Sequence, residues 1–168
     1  MLEKELVDAI NAQIGRELEA HLEYLQISAY FDDEALPQLS RFFRAQAQEE
    51  HGHAMRFLDY VLEAGGRLSI PALHAPRDHF ESAEEAVAAS LDWERAVTGH
   101  IDDLMNLAIT RRDHAAQAML QWFVTEQVEE VSTMEELLQV VRRAGETNLL
   151  LVEGHVARMG AGDGGSAA

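Results

Sequence analysis

The sequence predicts an all-α protein: a four-helix bundle with a long crossover between helices two and three, plus a short fifth helix at the C-terminus. Three observations predict it. Apolar residues recur every three or four positions through four stretches of almost thirty residues each. The three prolines, Pro37, Pro71 and Pro76, all fall at or between the ends of those stretches. The connections are unequal, short at 33–37 and 112–114 but long at 65–81. Short links make antiparallel neighbours, whereas a long one carries the chain back along the bundle, so that helices two and three run parallel.

Helix one spans about residues 4–32. Leu6, Ile10, Gln13, Glu17, Ala20, Tyr24 and Ser28 form one stripe, and Leu18, Leu22, Leu25 and Ala29 a second. Asp32-Asp33-Glu34-Ala35-Leu36-Pro37 reads as a turn, with Pro37 in the first turn of the next helix. Helix two runs from about 37 to 64 with Leu39, Phe42, Phe43, Gln46, Glu50, His53, Phe57, Tyr60 and Val61 in period, and Gly65-Gly66 ends it.

The crossover at 65–81 includes Leu68-Ser69-Ile70 as a short extended piece. Ser82-Ala83-Glu84-Glu85 has the form of a capping box that starts helix three. This helix continues to about 111 with Val87, Ser90/Leu91, Glu94, Val97/Thr98, Ile101, Met105 and Ala108 on its inner stripe. Asp113 caps helix four, about 114–143, whose stripe is Ala115, Met119, Trp122/Phe123, Glu126/Gln127, Glu130, Met134, Leu137 and Val141. Gly145 closes it, and Asn148 to Met159 reads as the fifth helix. Residues 1–159 thus form one domain. The Gly/Ala-rich 160–168 reads as a disordered tail.

Composition narrows the function. The chain has no cysteine, which removes disulfides, thiolate metal sites and thiol catalysis. Its net charge of −17 repels nucleic acid and anionic membranes and attracts cations. No apolar run approaches the ~20 residues of a membrane span, and the charged amino terminus lacks the core of a signal peptide. A cytoplasmic protein without nucleic-acid or membrane partners is expected.

The chemistry centres on Glu49-Glu50-His51-Gly52-His53. Glu50 and His53 are three apart and share a helix face, so they can grip one divalent metal. Glu17, Glu94 and Glu130 each lie on the apolar stripe of another helix, where an unpaired charge costs several kcal/mol. Lysine and arginine are sparse on those stripes, so the obvious partner is a cation. Four carboxylates would balance two ferrous ions, His53 would add a neutral nitrogen, and this donor set suits iron or manganese better than a soft metal, though zinc can also bind it. Without metal, the clustered carboxylates should hold protons.

These residues carry a resemblance to the ferritins, and specifically to the non-haem bacterial ferritins of the actinobacterial branch. It covers roughly residues 4–158 through Glu17 with Tyr24, Glu49-Glu50-His51-Gly52-His53, Glu94, and Gln127-Val128-Glu129-Glu130 after Gln121-Trp122-Phe123. The Phe31-Asp32 to Leu36-Pro37-Gln38-Leu39 turn and the glycine-rich tail support the actinobacterial assignment. The resemblance implies iron storage with ferroxidase activity at an intrasubunit di-iron centre, using dioxygen or hydrogen peroxide. By it, Glu17, Glu50 and His53 hold one iron; Glu50, Glu94 and Glu130 hold the other, with Glu50 bridging, Gln127 nearby and Tyr24 beside the pair. Glu49, Glu126 and Glu129 match a third iron site. The implied assembly is a hollow homo-oligomer of twenty-four chains with the fifth helix at a symmetry axis.

Two departures matter. Helix four has Gln127-x-x-Glu130 where bacterioferritins and many di-iron enzymes have Glu-x-x-His, which implies a weaker second site suited to releasing iron. The methionine that holds bacterioferritin haem is replaced by His51, so haem is not expected, although histidine can also ligate it. The alternatives are a rubrerythrin-like peroxidase that retains its metals, a haem-binding bacterioferritin, a DNA-protecting miniferritin, and a structural bundle without metal.

Overall fold

In a computed structural model, residues 3–163 are described, with side chains through Met159. Four long helices, α1 (Lys4–Asp33), α2 (Pro37–Glu63), α3 (Ala83–Thr110) and α4 (His114–Ala144), are followed by a 3-10 turn at Glu146–Asn148 and by α5 (Leu149–Asp163). The all-α bundle predicted from periodicity is present, with boundaries within a residue or two except at the C-terminus. There α5 passes the expected end at Met159 by four residues, and 164–168 of the predicted tail lie outside the described residues.

The punctuation signals act largely as expected; of the capping box at Ser82 only one half forms, because the Glu85 carboxylate takes the amide of Glu81 at 2.6 Å and not that of Ser82. Ser82 accepts a hydrogen bond from the Glu85 amide at 3.1 Å, and Asp113 from the Ala116 amide at 3.0 Å, each satisfying an N-terminal donor of its helix. Gly65 and Gly145 take φ of +74° and +71° after α2 and α4, a conformation that costs glycine little. By contrast, α2 begins at Leu36-Pro37 with no capping side chain of its own. Glu153 of α5 supplies the acceptor: its carboxylate takes the amides of Gln38 (2.9 and 3.0 Å) and Leu39 (2.8 Å). Glu146 does the same for α3, accepting from Ala83 (3.2 Å) and Glu84 (3.1 Å). The C-terminal segment is therefore fastened across the starts of α2 and α3, which lie at one end of the bundle, as a crossover requires.

The crossover forms neither helix nor strand, at 68–70 or elsewhere. It follows α1 in the same direction. Asn11 bonds the Arg67 carbonyl (2.9 Å) and the Ser69 amide (3.1 Å), Glu19 accepts from the His74 amide (2.9 Å), and Glu23 from the Arg77 amide (2.9 Å). Gly15 is what lets it lie so close, since a Cβ there would stand 2.4 Å from Pro71 Cγ.

Two apolar clusters fill the bundle. One contains Tyr24, Ile27, Phe31, Phe43, Val87 and Met134, and the other Leu6, Ile10, Phe57, Ile101, Leu120 and Phe123. Between them lies a polar layer in which Gln13, Glu17, Glu50, His53, Glu94, Gln127 and Glu130 are all buried. Among the described residues no lysine or arginine is buried.

Candidate metal centre

Each carboxylate of the polar layer comes from a different helix, because each replaces an apolar residue on an inner stripe. Glu17, Glu50 and His53 offer ligand atoms that all lie within 4.8 Å of one another. His53 Nδ1 is 3.4 Å from Glu50 Oε2, the pairing that their three-residue spacing predicts. Glu17 Oε1 accepts from Gln13 Nε2 at 2.7 Å, and Gln13 Oε1 in turn accepts from Arg16 Nη1 at 3.0 Å. The other oxygen, Glu17 Oε2, is buried with no hydrogen-bond partner. A buried carboxylate oxygen without a donor is costly unless a cation completes it.

A second group of ligand atoms, also within 4.8 Å, joins His53 to Glu126 and Glu130. Sequence reasoning placed Glu126 with Glu49 and Glu129, apart from the pair; the structure brings it to His53 as well. Glu94 belongs to neither group. Its carboxylate accepts from the Tyr24 hydroxyl on Oε1 and from Gln127 Nε2 on Oε2 at 3.1 Å, and Gln127 also reaches the Glu94 carbonyl at 3.2 Å. Both Glu94 oxygens thus have a donor, leaving their remaining lone pairs for a cation. Glu49 accepts from Gln46 and lines a cleft of about 500 Å³ with Glu126, Glu129 and Glu130; Arg41 and the α5 residues Val156 and Met159 form other parts of its wall. The cleft reaches the buried layer through Glu130.

The electrostatics follow from burial and crowding. Burial first, then the neighbouring Glu50, push the Glu17 carboxyl well up, and burial followed by Glu94 does the same to Glu50. Burial raises Glu94. Glu130 is pushed up to about 9, again by burial and then by Glu94. Burial and the Glu94 charge also push the Tyr24 hydroxyl well up, so Tyr24 is a donor at neutral pH. Around His53, the rings of Trp122 and Phe123 stand at 5.5 and 5.8 Å between centroids, and the Arg56 guanidinium stacks on Trp122 at 4.1 Å. These rings close one side of the imidazole.

Sequence reasoning did not assign a role to Gln13, although it sits on the inner stripe four residues before Glu17, the spacing that makes the bond. Gln46, in period on helix two, was likewise given no role; its Oε1 is buried without a partner.

A four-helix bundle with one long crossover and a carboxylate–imidazole layer at mid-length is the architecture of the di-metal carboxylate proteins. Within that class the chain belongs to the ferritin family, whose ferritin-like domain matches residues 7–144. It is 40% identical over 149 residues to Ferritin BfrB of Mycolicibacterium smegmatis, covering 89% of this chain and 82% of that one. It is 36% identical over 146 residues to the bacterial non-heme ferritin of Staphylococcus epidermidis, covering 87% and 88%. Among solved structures, a humanized archaeal ferritin superposes with a TM-score of 0.90 at 34% identity, covering 93% of this chain and 96% of that one. An open-pore ferritin of Archaeoglobus fulgidus superposes with a TM-score of 0.89 at 34% identity, covering 92% and 96%.

Among the described residues no helix is long and apolar enough to cross a membrane.

Proposed function

We propose that this protein stores iron, oxidising ferrous ions at the carboxylate layer and holding the ferric product as mineral inside a hollow homo-oligomer of twenty-four chains. The observation that carries the reading is the meeting of Glu17, Glu50 and His53, all buried, with Glu17 Oε2 unpartnered and no lysine or arginine buried among the described residues to neutralise the carboxylates. That arrangement is built for a cation.

Iron enters as substrate. Glu17, Glu50 and His53 take the first ferrous ion; Glu50, Glu94 and Glu130 take the second, with Glu50 shared. Gln13 holds Glu17 by one oxygen and directs the other inward, while Tyr24 and Gln127 hold Glu94. Two ferrous ions supply two electrons. With two protons these reduce dioxygen to hydrogen peroxide, or hydrogen peroxide to two waters. Carboxylates that are protonated without metal release their protons as cations bind, because a positive charge favours the ionised form.

Glu49, Glu126 and Glu129 in the cleft give a third cation position on the way to the store. Gln127 contributes no charge where a glutamate would, so the second ion is held loosely enough to leave after oxidation. Replacing Gln127 with Glu should tighten the second ferrous ion in an anaerobic titration; unchanged affinity would remove that argument.

Aerobic loading with a large excess of ferrous iron, followed by size exclusion with iron and protein read together, tests the whole reading. Many iron atoms per chain, eluting with a particle far above 18.7 kDa, is the expected result. A plateau near two per chain would instead indicate a di-iron enzyme that keeps its metals. No retained iron would refute both.

A further inference from the structure

His51 takes no part in the centre described above. It is exposed on α2, and its ring meets that of His21 on α1, with centroids 5.7 Å apart and planes at 58°. His21 is held. Its Nδ1 lies 2.6 Å from the carbonyl of Ala47, one helical turn before His51. A carbonyl only accepts, so Nδ1 carries the proton and donates, and Nε2 keeps its lone pair. Metal-binding histidines are oriented in this way, one ring nitrogen donating to a carbonyl while the other faces the ion.

The spacing fits a shared ion. With metal–nitrogen distances of ~2.0–2.1 Å, two imidazoles on one tetrahedral ion have ring centroids roughly 5 Å apart. His51 is exposed, so a small rotation of its ring closes the difference. Among the described residues no carboxylate joins these two rings in a three-ligand group. The donors are therefore nitrogen alone, in contrast to the oxygen-rich centre inside the bundle. Imidazole pairs favour the late first-row divalent ions over ferrous iron.

We propose that His21 and His51 form a second metal site, a two-imidazole chelate for copper(II) or zinc(II), distinct from the carboxylate centre. It would hold a late transition metal at the α1–α2 surface, away from the ligands that take iron.

Copper(II) titration of the full-length assembled protein, followed by electron paramagnetic resonance, tests it. The expected result is one copper per chain whose spectrum shows coupling to two imidazole nitrogens. His21→Ala and His51→Ala should each weaken that copper by about tenfold or more and abolish the two-nitrogen pattern. Glu17→Gln should leave the pattern unchanged, and His51→Ala should leave the rate of ferrous oxidation unchanged. Equal copper binding in either histidine variant would overturn the proposal. So would loss of the pattern in Glu17→Gln, which would place the copper in the carboxylate centre.

Discussion

Gln13 shows how much of the centre depends on a neutral residue. Its amide fixes Glu17 Oε1 and so sets the orientation of the carboxylate whose other oxygen is unpartnered beside Glu50 and His53. A leucine there keeps the volume and removes the bond. Gln13→Leu should weaken the first ferrous ion by roughly tenfold, the usual effect of losing a hydrogen-bond partner of a metal ligand, in anaerobic calorimetric titration. Glu130 gives a prediction in pH. Its folded pKa is raised from 4.5 to about 9, so the folded metal-free protein binds the proton more tightly than the unfolded chain does. The associated stability is fully present below pH 4.5 and is lost as pH rises through about 9. Metal-free protein should therefore melt at falling temperatures from pH 5 to 9, and Glu130→Gln should flatten that slope in thermal scans. The inward placement of Glu17, Glu50, His53, Glu94 and Glu130 was legible because each polar side chain interrupts an apolar stripe. The Gln13–Glu17 bond was within reach of the same four-residue spacing. The reach of Glu126 to His53 was not, since it depends on how α2 and α4 are rotated against each other, which periodicity does not fix.

At the scale of elements, caps local in sequence were readable and caps from afar were not. Ser82 and Asp113 lie three residues before the amides they satisfy, and both were predicted. Glu153 satisfies α2 from 114 residues away, and nothing near Leu36 announces it. Removing a charged acceptor from buried amides costs about 2 kcal/mol. Glu153→Ala should accordingly speed amide exchange at Gln38 and Leu39 and expose α5 to limited proteolysis, while the α3–α4 amides keep their protection. Loss of protection throughout would instead make α5 part of the global folding unit. Gly15 has the same long-range character. Its reason is Pro71, and only the folded crossover brings the two together. Gly52 stays without an explanation inside the chain, since the open space around it requires no glycine.

For the whole molecule, the net charge of −17 concerns arrival more than fold. A negative surface raises the local concentration of ferrous ions, and salt screens it. The initial oxidation rate at limiting iron should fall as potassium chloride rises from about 10 to about 150 mM, over which the screening length shrinks from ~30 to ~8 Å. An equal osmolality of sucrose should not reproduce the fall. The bundle was legible from apolar periodicity, and its crossover and parallel α2–α3 pair from loop lengths, because a short link cannot cross the length of a helix. The fastening of the C-terminal segment also sets an order in time. The amides that open α2 are made early, but their acceptor belongs to residue 153 and is translated 114 residues after Leu39. At ~5–20 residues per second this is a delay of roughly 6–23 s, during which the first hairpin must persist with its leading edge open to water. A message truncated before that point would yield a bundle whose α2 opens without this acceptor.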